Sequence, residues 1–282
     1  MSEHVLVWRP KARNGGGDDD SQLRLIDMPQ GLRRSPSQVR AADAMSMATR
    51  AVLLEALAAL KAQAAAPGEP LRVSLKSLSA GDLDVLFDVL GEGEVRAAVG
   101  GEALWRIEET VLPGLWRIAV RTADGEEVQW LEAAAMASPV LQAAQRLPQA
   151  SIAVPRQLPA GTMNAPALIA ELVTRSREWR PGAGPNHVVN FTLLPLSEPD
   201  AEVLTATLGQ IPLSIRSSGY GSCQVFGTGL RHVWAVQYMN SMGKIILDTL
   251  EVGDIPASAC AAREDFEDSA GRLAEILEAY AT

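Results

Sequence analysis

The sequence predicts an α+β protein: two tandem copies of a helix–strand–helix–antiparallel strands–helix unit behind a disordered N-terminal tail. Three observations lead there. Sliding the 282-residue chain against itself by 118 positions lays Leu78–Gly91 on Leu196–Gly209 with seven of fourteen residues identical, where chance gives about one. Short apolar runs broken by Gly100-Gly101, Pro113-Gly114 and Asp124-Gly125 carry the punctuation of antiparallel strands. A hydrophobic share of 47% against 21% charged residues supplies a sizeable core, and the length suits about two domains.

The elements follow in order. Residues 1–36 hold Asn14-Gly15-Gly16-Gly17-Asp18-Asp19-Asp20, a glycine run beside a self-repelling acidic one that cannot repay its ordering entropy, so this stretch is expected to be disordered. The first unit spans residues 37–150. It opens with a helix from Ser37 to about Ala64, capped by Ser37 or Ser35, with Met45, Ala48, Val52, Leu57 and Leu60 inward and Pro67-Gly68 beyond its end. Leu71–Leu75 alternates as a strand. A second helix takes Ser79 as N-cap, Asp82 in its first turn and Gly91 past its end. Strands are expected at 94–99, 104–110, 115–121 and 127–131, then a closing helix at 137–146. Residues 151–163 read as a linker, and 164–282 as the second unit. At the same offset Trp116 falls on Trp234, Gly101 on Gly219, the first helix on Asn164–Trp179 and Leu71–Leu75 on Val189–Leu193, so the two tryptophans are expected at equivalent strand positions.

Composition removes several function classes. Lys plus Arg number 25 and Asp plus Glu 34, and the resulting formal charge of −9 repels nucleic-acid phosphates and anionic lipid. Two cysteines and three histidines cannot complete a four-ligand zinc site or a cysteine-ligated cluster without borrowed ligands, so no resident metal or cofactor is expected. Arg33-Arg34 is not followed by an apolar segment, and no run approaches the ~18 apolar residues of a membrane span. A cytoplasmic protein with reduced thiols is expected. Gly219-Tyr220-Gly221 and Gly227-Thr228-Gly229 begin phosphate-loop patterns, but Gln224 and His232 stand where the third glycine belongs and no helix signal follows.

Three places could carry chemistry. Cys223 and His232 lie nine residues apart and could face each other across a hairpin as thiol and base, or be a buried thiol and a rim imidazole. Glu264-Asp265-Phe266-Glu267-Asp268 opens an amphipathic helix through Phe266, Ala270, Leu273, Leu277 and Tyr280. Its acids read as a solvated face or as a dock for a basic partner. Trp234 to Glu251 reads as a hairpin turning at Asn240–Lys244. Its Met, aromatic and amide side chains suit a recognition surface and a sheet core equally.

The stretch Gly219-Tyr220-Gly221-Ser222-Cys223, Val233 to Met242 with its Gln237-Tyr238-Met239-Asn240-Ser241, and Ala259-Cys260-Ala261-Ala262-Arg263-Glu264-Asp265-Phe266 resembles the HupH/HyaF family of hydrogenase expression proteins. Ser222 departs from the asparagine common in that pattern. The first unit lacks both motifs, with Gly101-Glu102-Ala103-Leu104-Trp105 and Ala119-Val120-Arg121-Thr122 in their places. The resemblance implies a non-enzymatic accessory protein in maturation of an uptake nickel–iron hydrogenase. It implies a chaperone that binds the small-subunit precursor, among other hydrogenase accessory proteins, before its iron–sulfur clusters are secure. Under that reading the exposed members of Tyr220, Gln237, Tyr238, Met239, Asn240 and Glu251 should form one contiguous partner surface, with Gln237 and Met239 on the strand face opposite Tyr238 and one set packed inward; Ser241, Glu264 and Asp265 are further partner-binding candidates. An iron–sulfur insertion factor using Cys223 and Cys260 as transient ligands is the alternative, and a thiol enzyme built on Cys223 and His232 a third. The sequence leaves the oligomeric state open.

Overall fold

A computed structural model describes residue 8 and residues 45–100, 104–122, 124–194, 196–218 and 222–280. In chain order the elements are α1 (Met47–Ala65), β1 (Leu71–Ser74), α2 (Ala80–Leu90), β2 (Val95–Val99), β3 (Leu104–Glu109), β4 (Leu115–Arg121), β5 (Glu127–Ala133) and α3 (Ser138–Arg146). They continue with α4 (Ala165–Glu178), β6 (His187–Asn190), α5 (Glu198–Leu208), β7 (Gln210–Ser217), β8 (Ser222–Thr228), β9 (Val233–Met239), β10 (Ile245–Val252), a 3-10 turn (Ala257–Ala259) and α6 (Arg263–Ala279). All ten strands join one antiparallel sheet in the order β1-β5-β4-β3-β2-β7-β8-β9-β10-β6. The architecture is α+β.

Local chemistry explains α2 and α5. Ser79 and Ser197 each accept from the backbone N–H three residues on, and Asp82 and Asp200 reach back to the cap, so both helices open with a capping box. Both end on a left-handed glycine, Gly91 (φ 56°) and Gly209 (φ 61°). Helix α1 differs from its expectation: Ser46 is its N-cap, accepting from Thr49, and residues 35–44 lie outside the described residues.

The halves run in parallel but not at one offset. The bounds of α2 and α5, and of β4 and β9, differ by 118. At the seam of the sheet Ala97 pairs with Ile215, again 118 apart. Trp116 and Trp234 are each the second residue of their strands, and their indoles donate to the carbonyls of Ala134 (2.9 Å) and Gly253 (3.3 Å). Upstream, however, β1 and β6 differ by 116. So do the buried faces of α1 (Thr49, Val52, Leu53, Ala56, Leu60) and α4 (Ala165, Leu168, Ile169, Leu172, Ser176). The expected match of Leu71–Leu75 to Val189–Leu193 is therefore two residues out, because helix-face burial, not residue identity, sets the register there. A bulge between Ile245 and Leu247 absorbs one extra residue in β10.

The closing helices are not counterparts. Helix α3 lies on one face of the sheet against β2 and β7, whereas α6 crosses to the opposite face and packs along α1. Phe266, Ala270, Leu273 and Leu277 are buried there with Leu53, Leu60, Leu86 and Leu115. The Ser269 hydroxyl donates to the Pro113 carbonyl at 2.8 Å. Gly114 (φ 81°) lies against the Phe266 ring with no room for a Cβ. Gly114→Ala is expected to cost about 2–3 kcal/mol by strain and overpacking, read by denaturant unfolding. Gly125→Ala, at a similar φ of 82° with open space around it, should cost about 1 kcal/mol.

Of the predicted tail, residue 8 is described, and it is packed into the core. Trp8 is 2% exposed in the core of α4, α5 and β8–β10. Its backbone N–H donates to Gln210 Oε1 at 2.9 Å and its indole to Asp248 Oδ1 at 3.4 Å. The remaining tail lies outside the described residues. The chain before α4 is also tied down: Gln149 bridges to Leu230, donating to the Gly229 carbonyl and accepting from Arg231 N–H.

Candidate functional site

The sheet's two faces are covered unequally. On one face α1, α2 and α6 form a core with β1, β4 and β5, and α4 and α5 form another with β6 and β8–β10. Between these packs, among the described residues, β2, β3, β7 and the start of β8 carry no helix on that face. Strand alternation sends Ala97, Ile107, Leu213, Ile215, Cys223 and Val225 to the opposite face, where α3 and the 3-10 turn bury them. What remains is a polar floor. Arg96, Ala98, Arg106, Pro212 and Arg216 are exposed, and Glu108, Ser214, Ser222 and Gln224 half-buried.

One row of side chains crosses this floor. Arg117 stands opposite Glu108, Glu108 opposite Arg96, Arg96 opposite Arg216, Arg216 opposite Gln224, Gln224 opposite Gln237 and Gln237 opposite Asp248. Arg96 pairs with Glu92 (2.7 Å) and Glu108 (3.7 Å). Arg106 projects from the same face one row along, opposite Ala119.

The sequence-predicted residues fall into separate groups. Gln237 (6% exposed) and Met239 lie on the helix-bearing face at the margin of this floor. Next to them Asn240 shapes the β9–β10 turn, its Oδ1 accepting from the backbone N–H groups of Met242 and Lys244, both at 3.0 Å, and Ser241 is exposed. Tyr220 lies outside the described residues. Tyr238 and Glu251 point to the opposite face. Glu251 pairs with Trp234, four residues along β9 from Tyr238, or about 13 Å of strand, and accepts from Asn186 Nδ2 at 3.0 Å. Gln237 and Met239 thus lie on the face opposite Tyr238, as strand alternation predicts, and Glu251 shares the face of Tyr238. Glu264 is exposed at the start of α6, and Asp265 accepts from Ala262 N–H at 2.7 Å; both belong to the helix packed on the first half of the sheet.

The thiols sit apart from that floor. Cys223 is buried opposite Tyr238, with its Sγ 3.6 Å from Ser258 Oγ, and burial pushes its pKa up. Burial, with Asp254 and Glu109 nearby, pushes Cys260 up to about 12. Among the described residues no group of three or more His, Cys, Asp or Glu could hold a metal ion. The thiol–base pairing of Cys223 with His232 is not formed. His232 occupies the β8–β9 connection in a left-handed conformation (φ 62°), at the far end of the hairpin from Cys223. Burial, then Arg231, lowers its pKa.

Sequence reasoning missed Arg96, Arg106, Arg216 and Gln224. The available signal was polar alternation in Val95-Arg96-Ala97, Trp105-Arg106-Ile107 and Ile215-Arg216-Ser217. Nothing local announces that β2 lies beside β7.

Comparison with known proteins matches two segments of this chain, residues 46–153 and 162–280, to one sequence profile, described as the HupH hydrogenase expression protein, C-terminal conserved region. The hydrogenase expression/formation protein HupH of Rhodobacter capsulatus is 37% identical over 262 residues, covering 93% of each chain. HoxQ of Cupriavidus necator, of the same description, is 40% identical over 274 residues and 94% of each chain. The hydrogenase-1 operon protein HyaF of Escherichia coli K12 is 36% identical over 75% of this chain and 74% of its own. With the profile spanning both halves and relatives aligned nearly end to end, the chain belongs to the HupH/HyaF family of hydrogenase expression/formation proteins.

Proposed function

We propose that this protein is a non-enzymatic accessory factor in hydrogenase maturation, a cytoplasmic chaperone that holds the small-subunit precursor while its iron–sulfur clusters are assembled. The names of its relatives support the hydrogenase role. The observation that carries the binding role is the polar floor between two helix packs, bare of helices among the described residues, with Met239 and the Asn240-Ser241 turn at its margin. We read the chain as a duplication: tail 1–36, units 37–150 and 164–282, and a connector at 151–163. The matching of two segments to one profile supports this. Cluster insertion through Cys223 and Cys260 would draw on thiolates, and burial favours the protonated thiols. No helix of the described residues is long and apolar enough to cross a membrane.

Affinity capture from cells making the hydrogenase tests the proposal. The small-subunit precursor should co-purify, and its absence under conditions that retain the fold would overturn the client assignment. Asn240→Ala should cost about 1 kcal/mol of stability through the lost turn hydrogen bonds. Tyr220→Ala should leave unfolding unchanged and reduce capture. Thermal unfolding measured beside capture separates the two effects.

A further inference from the structure

We propose that the exposed arginines Arg96, Arg106 and Arg216, at the centre of the sheet where no described helix packs, dock a carboxylate-rich peptide segment of a partner protein. The inference rests on the client-binding reading and names the chemistry of what is bound.

Four observations carry it. Space is the first. From β3 across β2 and β7 to β8 the floor spans three inter-strand spacings, about 14 Å, which seats an added helix of ~10–12 Å diameter or an extended strand. Charge is the second: in a chain of net charge −9, this strip exposes three arginines. All three cations are guanidinium groups, whose planar fork matches a carboxylate with two parallel hydrogen bonds.

The third is the pairing of Arg96 with Arg216. Like charges directly opposite on neighbouring strands destabilise a sheet. Both positions are exposed, so packing places no demand for arginine there. Glu92 and Glu108 pair with Arg96 and also face Arg117, while among the described residues no ion pair reaches Arg216. A carboxylate set between the two guanidinium groups would relieve the repulsion, so the pair is an arrangement whose energy improves on binding an anion. The fourth is the surroundings. Ser214 and Gln224 continue the floor with groups able to bond a peptide backbone, while Ala98, Pro212 and Met239 add small apolar contacts.

The test uses the purified full chain and fluorescence anisotropy with a labelled glutamate-rich peptide, against a lysine-rich peptide of the same length. The glutamate peptide should bind, weaken as salt rises and lose at least about tenfold in affinity in the Arg106→Ala/Arg216→Ala double variant. That variant should unfold at the wild-type temperature or above it, since it removes a repulsive pair. Arg216→Glu should fold and shift the preference toward the lysine peptide. Undiminished binding by the double variant overturns the proposal, as does equal binding of both peptides. So does equal competition by inorganic phosphate, which would mark a general anion site. Binding that emerges only after Asp18, Asp19 and Asp20 are changed to asparagine overturns it in favour of the chain's own acidic run. Capture of the small-subunit precursor scores the functional reading separately: intact capture without peptide binding overturns the acidic-segment assignment alone.

Discussion

Asp200→Ala is expected to destabilise the protein by about 3–5 kcal/mol, the largest effect of any single polar substitution considered. Asp200 is fully buried, and one carboxylate oxygen accepts from three successive backbone N–H groups, Met163 (2.8 Å), Asn164 (2.8 Å) and Ala165 (2.9 Å). Its other oxygen accepts from the Ser197 hydroxyl at 2.8 Å and closes the capping box of α5. The residue thus joins the start of α4 to the start of α5, and alanine would leave three orphan donors in a dry site. Burial alone would raise its pKa. The backbone donors and Ser197 outweigh that and hold it below the usual carboxylate range. A carboxylate with a depressed folded pKa contributes stability above its unfolded value of 3.8, and that contribution is lost as pH falls through the folded value. Denaturant unfolding below pH 4 should show the wild type losing its advantage over Asp200→Asn. The corresponding Asp82, which meets the start of α1 through the Ser46 and Thr49 hydroxyls in place of three amides and is only half-buried, should matter much less.

Glu109→Gln should act in the opposite sense. Glu109 is 7% exposed, and burial, reinforced by Asp265 and Glu94 against the pull of the Gly114 N–H, raises its pKa from 4.5 to about 7. The folded state therefore keeps a proton that the unfolded chain releases. Stability falls as pH rises from about 4.5 to 7 and stays lower above it. A displacement of that size corresponds to about 3 kcal/mol. Glu109→Gln should match the wild type near pH 5 and exceed it by up to about 3 kcal/mol near pH 8. Equal pH slopes for the two proteins would contradict this. Because Asp265 stands in the first turn of α6, the ionised state should also loosen that helix, visible as faster amide exchange at residues 263–280 above pH 7.

Legibility in the sequence followed the range of the interactions. The capping boxes at Ser79 and Ser197, the glycine stops and the Asn240 turn are settled within a few residues, and they stand where the sequence places them. The offset of α1 and β1 was misplaced by two residues, since identity could not outvote burial where few residues match. Trp8, the packing of α6 on α1 and the adjacency of β2 to β7 were invisible. Each joins parts of the chain more than 100 residues apart through shape, not motif. The same holds for the arginine strip: single polar alternations say nothing until a remote strand aligns them.

At the seam, Ala97 of β2 stands directly opposite Ile215 of β7, the residue 118 positions on, with Val95 and Val99 opposite Ser217 and Leu213. A surface that meets its own equivalent about a two-fold axis is how homodimers are built. The β2–β7 edge thus has the form of such a seam within one chain, and Trp8 and the packing of α6 on α1 do not follow it. Because both edges belong to one chain, their pairing does not depend on protein concentration, as that of a homodimer does.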